Sequence, residues 1–124
     1  MNDRFRFRIP MYSKYEERFT QFIYTDVYHE PLGFIGSAIF KTPEQCTGLK
    51  DKNGRLIYEG DIVCWTRAQT NGDVDSICPI VFDNDMCSFG PLLNGHSLWM
   101  PHQTDLRMKV VGNIHENPEL LEDK

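Results

Sequence analysis

The chain has 124 residues, of which 40% are hydrophobic and 25% charged, so we expect one compact domain or two small lobes that share a core. Its net charge of −5 argues against general binding to phosphate backbones but leaves room for a local basic patch. No apolar run approaches the roughly 20 residues that span a bilayer, and no hydrophobic segment follows the basic N-terminus. We therefore expect a cytoplasmic protein with no membrane partner.

The N-terminal segment alternates apolar residues with arginines, which predicts a half-buried strand ended by Pro10. The apolar residues are Phe5, Phe7 and Ile9, and the basic residues are Arg4, Arg6 and Arg8. We expect the arginines to form a stripe on the outward face. Such a stripe either contacts phosphates or an acidic partner or, as we prefer, is a solvated face that discourages edge pairing. The apolar face could also support self-association through sheet extension.

The rest of the first 44 residues is expected to form a small α+β region. Residues 19–28 are rich in aromatic and β-branched side chains and predict a strand. Residues 34–40 are ambiguous between a strand and a helical turn. Thr42-Pro43 marks a break, so we place the boundary there and expect a second region over residues 45–124.

The second region has short apolar segments separated by turn signals. Asn53-Gly54 and Glu59-Gly60-Asp61 predict tight turns around a strand at 56–58, and residues 62–65 begin the next strand. Residues 68–76 predict a loop, and Pro79 moves the strand at 77–82 toward an edge or a bulge. Further strands are expected near 87, 97–100 and 107–114. Asn117-Pro118 predicts the start of a short C-terminal helix, and the whole pattern is typical of a closed or partly closed antiparallel barrel.

The residues that most often carry chemistry are not spaced as a catalytic or metal site requires. Four cysteines and four histidines lack the close pairs of a zinc site, and the cysteines are expected to be reduced and mostly buried. Asp83-Asn84-Asp85 is better explained as a turn than as a cation site. No nucleophile motif is present. We therefore predict no catalytic residue, no metal and no cofactor.

Aromatic residues are the remaining candidates for a binding surface. In small barrels such residues more often belong to the core, but they can also line a groove for peptides or single strands. The residues considered are Tyr58, Trp65, Phe89 and Trp99. Together with the N-terminal arginines, the candidate partner- or nucleic-acid-binding residues are Arg4, Arg6, Arg8, Trp65 and Trp99.

Two blocks of sequence resemble the YopX family of phage and prophage proteins. They are residues 45–63, from Gln45 to Val63, and residues 110–121, from Val110 to Leu121. Residues 6–8 resemble the N-terminal block of that family more weakly. The resemblance implies an SH3-like β-barrel in the C-terminal part, a smaller mixed N-terminal region, and a gene carried by a phage or by a prophage in a bacterial chromosome. It brings no established activity and no catalytic residues.

These features together predict a mainly β protein that acts as a non-enzymatic, phage-derived interaction module in the cytoplasm of a bacterial host. Its partner is an unknown protein, and a homo-oligomer formed through the N-terminal strand is also expected. The alternative is a nucleic-acid-binding accessory protein that uses the N-terminal arginine stripe, which we do not favour. An enzyme is the weakest interpretation, because no nucleophile, base and oxyanion donor come together.

Overall fold

A computed structural model describes residues 6–25, 33–101 and 103–122, and this part of the chain is mainly β. Its strands are β1 (Phe7–Ser13), β2 (Phe19–Thr25), β3 (Gly33–Ile35), β4 (Ala38–Phe40), β5 (Glu44–Lys50), β6 (Leu56–Tyr58), β7 (Asp61–Gln69), β8 (Gly72–Asp83), β9 (Ser88–Leu93), β10 (His96–Ser97) and β11 (Met108–Asn113). One helical turn, α1 (Thr104–Arg107), precedes β11, and a 3-10 turn (Pro118–Leu121) follows it. The strands form two sheets.

The first sheet is built around β1. Its order is β3-β4-β1-β5-β6, and β2 pairs with β1 in antiparallel register from Phe7 opposite Thr25 to Tyr12 opposite Phe19. Since β1 is hydrogen-bonded to β2 and also to β4 and β5, it has no free edge for the predicted sheet extension. A homo-oligomer remains a prediction, but β1 is the wrong element to form it.

Pro10 lies inside β1, so the prediction that it ends the strand is wrong. Its carbonyl accepts a hydrogen bond from the N–H of Lys41 at 2.9 Å, in the gap between β4 and β5. A strand residue directs its N–H and C=O to the same side, so the missing N–H of Pro10 faces this gap and no ladder bond is lost.

Elsewhere in the N-terminal part the structure has strands and turns. The strand predicted for residues 19–28 is confirmed over Phe19–Thr25, and residues 26–28 lie outside the described part. The ambiguous segment is a hairpin of β3 and β4. No helix occurs in residues 6–25 and 33–44, so the helical component of the expected α+β region is not found there. β5 starts just after the expected boundary and pairs with both β1 and β6.

The second sheet has the order β10-β9-β8-β7-β11. β7 and β8 form a long hairpin that turns at Thr70-Asn71, so the loop predicted for residues 68–76 is wrong. This hairpin tip is exposed on both faces, and its strands therefore need polar residues rather than an alternating pattern. At Pro79 the pairing of β8 changes from β7 to β9. After α1, β11 returns to pair antiparallel with β7.

The apolar core lies between β6 and the second sheet. Its buried residues are Ile57, Val63, Ile80, Met108 and Val110, with Trp65, Phe89 and Met100 packed partly against them. Each large aliphatic side chain buried in this way contributes roughly 1.5–3 kcal/mol. These residues come from four strands, so the core forms only when β11 has returned to β7.

The turn between β5 and β6 is fixed to β11 by one buried carboxylate. Asp51 is 1% exposed, and its Oδ1 accepts the N–H groups of Asn53 and Arg55, both at 2.9 Å. Its Oδ2 accepts the N–H of Val110 at 2.8 Å. Gly54, with φ +79°, closes the predicted turn in the left-handed region, where a glycine is least strained.

The C-terminal helix expected from Asn117-Pro118 is a single 3-10 turn that begins at Pro118. The side chain of Asn117 does not cap this turn. Its Oδ1 instead accepts the N–H of Asn113 at 3.3 Å, which joins the turn to the end of β11.

Candidate functional site

A buried cluster of charged side chains joins the two sheets near the start of β1. The side chain of Arg8 donates from Nε to Glu44 Oε1 at 2.8 Å and from Nη1 to Asp61 Oδ1 at 2.7 Å. Its Nη2 donates to the carbonyl of Glu59 at 3.1 Å. Because Glu44 opens β5 and Asp61 opens β7, a single guanidinium holds the first sheet against the second.

Aromatic rings cover this ion cluster, so its charges interact in a low dielectric. The guanidinium carbon of Arg8 lies 4.0 Å from the ring centre of Phe22 and 5.0 Å from that of Tyr58. Burial alone would lower the pKa of Arg8, but the attraction of Asp61 and Glu44 outweighs it and raises that pKa. Burial raises the pKa of Asp61 despite the opposing effects of Arg8 and the N–H of Tyr58. Since arginine keeps its proton and bonds the carboxylate directly, we take both partners as charged at neutral pH.

A chain of hydrogen bonds runs outward from the ion cluster. Glu44 Oε2 lies 2.7 Å from His115 Nε2, and His115 Nδ1 lies 2.6 Å from the hydroxyl of Tyr12. An imidazole with its proton on Nε2 donates to Glu44 and accepts from Tyr12, so both contacts are satisfied. Phe19 stacks on the imidazole with ring centres 5.5 Å apart.

This hydrogen-bond chain has the order carboxylate, imidazole, hydroxyl that nucleophilic catalysis uses. Burial, and secondly the charge of Glu44, raises the pKa of Tyr12. Among the residues that the structure describes, no three His, Cys, Asp or Glu side chains are arranged to hold a metal ion. The ion cluster itself has a structural role, because Arg8 bonds Glu44 at the start of β5 and Asp61 at the start of β7.

A basic cleft opens beside the ion cluster, between the start of β1, the end of β2 and the β5–β6 hairpin. Its volume is about 430 Å³, and it is lined by Arg6, Arg8, Tyr24, Lys50, Arg55 and Tyr58, together with Gly54 and Leu56. The rings of Tyr24 and Tyr58 meet edge to face at 5.7 Å. We call this surface the basic cleft.

An aromatic groove of about 500 Å³ lies against the other side of β5. Its lining residues include Thr47, Phe82, Ser88, Phe89, Trp99 and Met100. Trp99 is 63% exposed and Phe82 is 41% exposed, and the rings of Phe82 and Phe89 meet edge to face at 5.1 Å. The buried hydroxyl of Ser88 has no hydrogen-bond partner within the described residues.

A short acidic turn connects β8 and β9 at one end of the aromatic groove. Asp83 Oδ1 accepts the N–H groups of Asp85 at 2.8 Å and of Met86 at 3.0 Å. The hydrogen bonds from Met86, Ser97 and Asp85 lower the pKa of Asp83. A carboxylate therefore stands beside the aromatic groove at neutral pH, in the turn that the sequence predicts there.

The structure separates the residues that the sequence grouped as one binding surface. Arg4 lies outside the described residues, and Arg6 is exposed in the basic cleft. Arg8 is 1% exposed, so its predicted place on an outward stripe is wrong. The reason is that β1 is covered on both faces, with Glu44 and Asp61 neutralising the arginine. Of the two predicted tryptophans, Trp65 packs on the core under the guanidinium of Arg67, and Trp99 lines the aromatic groove.

Local patterns in the sequence did not indicate the ion cluster, because its members are far apart along the chain. Arg8 is separated from Glu44 by 36 positions and from Asp61 by 53. The one available signal was His115, which follows directly on a predicted strand within the second family-like block. Of the four cysteines, Cys87 is exposed and lines the aromatic groove, and the other three line neither the aromatic groove nor the basic cleft.

The fold and the ion cluster define a small, mainly β protein whose two sheets are joined by buried charges. A crystal structure of protein EF1440 from Enterococcus faecalis has a similar fold, with a TM-score of 0.52 and 24% identity over 94% of this chain and 98% of that one. The family model described as YopX protein matches residues 11–122, so the chain belongs to the YopX family, as its sequence blocks predicted. Among curated proteins, no sequence matches the chain. None of the helices in the described ranges has the length and apolar character that crossing a membrane requires.

Proposed function

We propose that this YopX-family chain is a phage- or prophage-encoded, non-enzymatic interaction module that acts in the cytoplasm of a bacterial host. Its binding surface is the aromatic groove, and its ligand is an extended peptide segment of a partner protein. The observation that carries this proposal is the exposure of Trp99, which leaves 63% of a tryptophan in solvent on the wall of a groove of about 500 Å³. Tryptophan in a groove of this kind is a frequent anchor of protein binding.

The path of the chain supports an SH3-like barrel as the scaffold. β7, β8, β9 and β10 form a meander, one helical turn follows, and the last strand returns to the first strand of the meander. Barrels of this kind bind peptides by presenting aromatic side chains and loops around a fixed sheet.

The acidic turn indicates the chemistry of the peptide. Asp83 and Asp85 stand at one end of the groove, and the chain as a whole carries a net charge of −5. A peptide with one apolar or aromatic anchor and a neighbouring lysine or arginine complements both features.

A displayed library of random peptides tests the proposal. We expect the chain to enrich peptides with an apolar anchor next to a basic residue, and Trp99→Ala to weaken their binding by about tenfold or more. Tyr15→Ala is the matched control, because Tyr15 is 80% exposed and does not line the aromatic groove. Enriched peptides that bind Trp99→Ala as tightly as the unchanged chain would overturn the proposal, and so would a library that yields no binder.

The non-enzymatic part of the proposal is supported by the structural use of the ion cluster, in which Arg8 bonds Glu44 and Asp61 and so joins the two sheets. The alternative of nucleic-acid binding through a stripe of Arg4, Arg6 and Arg8 loses one of its three members, because Arg8 is buried between two carboxylates. Arg6 is exposed but lines a different surface, the basic cleft.

A further inference from the structure

The basic cleft concentrates positive charge in a protein that is acidic overall. Arginine and lysine supply four of the residues that line it, and none of its lining residues is acidic. Since Glu44 and Asp61 neutralise Arg8, the excess comes from Arg6, Lys50 and Arg55, in a chain whose net charge is −5. An even spread of charge would have placed carboxylates among these residues. The local excess therefore attracts an anionic ligand that the rest of the surface repels.

Three of the four cations face solvent and are placed by backbone pairing. Arg8 is buried between Glu44 and Asp61. The side chains of Arg6, Lys50 and Arg55 are exposed. Lys50 is the register partner of Leu56 across the β5–β6 hairpin, and Lys50 and Arg55 both line the basic cleft. Arg6 is held next to β5 because its carbonyl accepts the N–H of Cys46 at 2.8 Å.

An aromatic ring stands beside these cations. Tyr24 is 58% exposed, and its ring is supported edge to face by Tyr58, which is only 7% exposed. A supported, exposed ring next to basic side chains is what a stacked base and its phosphate require. A lone phosphate or a phosphorylated side chain would use the cations and leave the ring without a partner.

We propose that the basic cleft binds single-stranded nucleic acid, with Arg6, Lys50 and Arg55 contacting phosphates and Tyr24 stacking on an unpaired base. A volume of about 430 Å³ gives room for one nucleotide rather than for a duplex. A duplex also keeps its bases stacked on one another, so Tyr24 could not reach a base face. The basic cleft shares no lining residue with the aromatic groove, so each proposal can be tested independently of the other.

Fluorescence anisotropy with labelled oligothymidine tests the proposal on the full chain. Three phosphate contacts predict that the logarithm of the binding constant falls with the logarithm of the salt concentration at a slope of about −2. The double variant Lys50→Ala/Arg55→Ala should bind at least about tenfold more weakly at low salt and reduce the slope to about −0.7. Tyr24→Leu should weaken binding by about tenfold with an unchanged slope, because it removes stacking and no charge.

The matched control is Lys14→Ala/Lys109→Ala, which changes the net charge equally at sites outside the basic cleft. It should bind like the unchanged chain, and Trp99→Ala should do so as well. Four results would overturn the proposal: no binding at about 50 mM salt, equal loss in the control double variant, equal affinity for duplex DNA, or better competition by a phosphopeptide than by a mononucleotide. Thermal unfolding of each variant shows whether its fold is retained. If Tyr24→Leu does not fold, the charge variants still test the proposal, and the reverse also holds.

Discussion

Replacing Arg8 with methionine tests whether the ion cluster holds the two sheets together. Methionine keeps an unbranched apolar stem against Phe22 but removes all three donors of the guanidinium. Glu44 and Asp61 then face each other as buried carboxylates without a cation. Breaking a buried ion pair by removing one partner costs about 3–5 kcal/mol. Since a chain of 124 residues has a total stability of about 6–19 kcal/mol, this single change removes a large share of it.

Urea denaturation followed by tryptophan fluorescence measures this loss as a lower midpoint. The control is Arg18→Met, because Arg18 forms an ion pair with Glu16 in which both side chains are largely exposed. Exposed pairs of this kind contribute about 0–1 kcal/mol, so the control should change the midpoint little. A loss below about 1 kcal/mol for Arg8→Met would refute the reasoning, because a buried carboxylate left without its cation cannot cost so little.

A double-mutant cycle separates the ion pair from simple loss of packing. Asp61→Asn removes the charge but keeps an oxygen that can accept the N–H of Tyr58, which Asp61 Oδ2 now accepts at 2.8 Å. In the double variant Arg8→Met/Asp61→Asn, one uncompensated charge has gone. We expect it to be more stable than the sum of the single changes predicts, by about 1–3 kcal/mol. Additive effects would mean that the pairing of Arg8 with Asp61 does not stabilise the fold.

Two further changes test the electrostatics and the packing of the fold. Burial raises the pKa of Glu59 above 4.5, its value in an unfolded chain, so the folded state binds this proton more tightly. The stabilisation that results from this tighter proton binding is therefore fully present below pH 4.5 and is lost as the pH rises through the folded pKa of Glu59. The unfolding free energy of Glu59→Gln should accordingly equal that of the unchanged chain in acid and be higher at neutral pH, by about 1.4 kcal/mol for each tenfold change in proton affinity. Equal urea midpoints of the two proteins at both pH values would contradict this. At Gly90, an added Cβ would overlap the carbonyl oxygen of Leu98, whereas at Gly95 it would meet open space at φ +80°. Gly90→Ala should lower the melting temperature far more than Gly95→Ala, whose strain is about 1–2 kcal/mol, and similar losses for both would show that the close approach relaxes easily.

Local sequence predicted the elements whose shape depends on near neighbours. The turns at Asn53-Gly54 and Glu59-Gly60 are where the sequence places them, with Gly54 at φ +79° and Gly60 at φ +87°. The strand Leu56–Tyr58 between them is confirmed. A glycine that needs a left-handed backbone, or an apolar segment between two turns, carries its signal within a few residues.

The long β7–β8 hairpin was misread because its exposure depends on the rest of the fold. The alternating pattern that identifies a strand requires one face to be buried. Residues 68–75 project beyond the core and are exposed on both faces, so they are mostly polar and lack an alternating apolar pattern. Strand pairing with Arg67 opposite Val74 and Ala68 opposite Asp73 is decided by the hairpin register and leaves no local pattern.

Local residue patterns are sufficient to show that the chain is mainly β, where its tight turns lie, and that it belongs to the YopX family. Which face of β1 is buried, and which cations are exposed, depends on how distant strands pack together. The alternating pattern predicted that Arg8 lies on an outward face. In the structure, Glu44 and Asp61 from distant strands pair with Arg8, and the side chain is buried between the two sheets. The partners of a charge are chosen by packing across the whole chain, and a periodic pattern within one strand cannot report them.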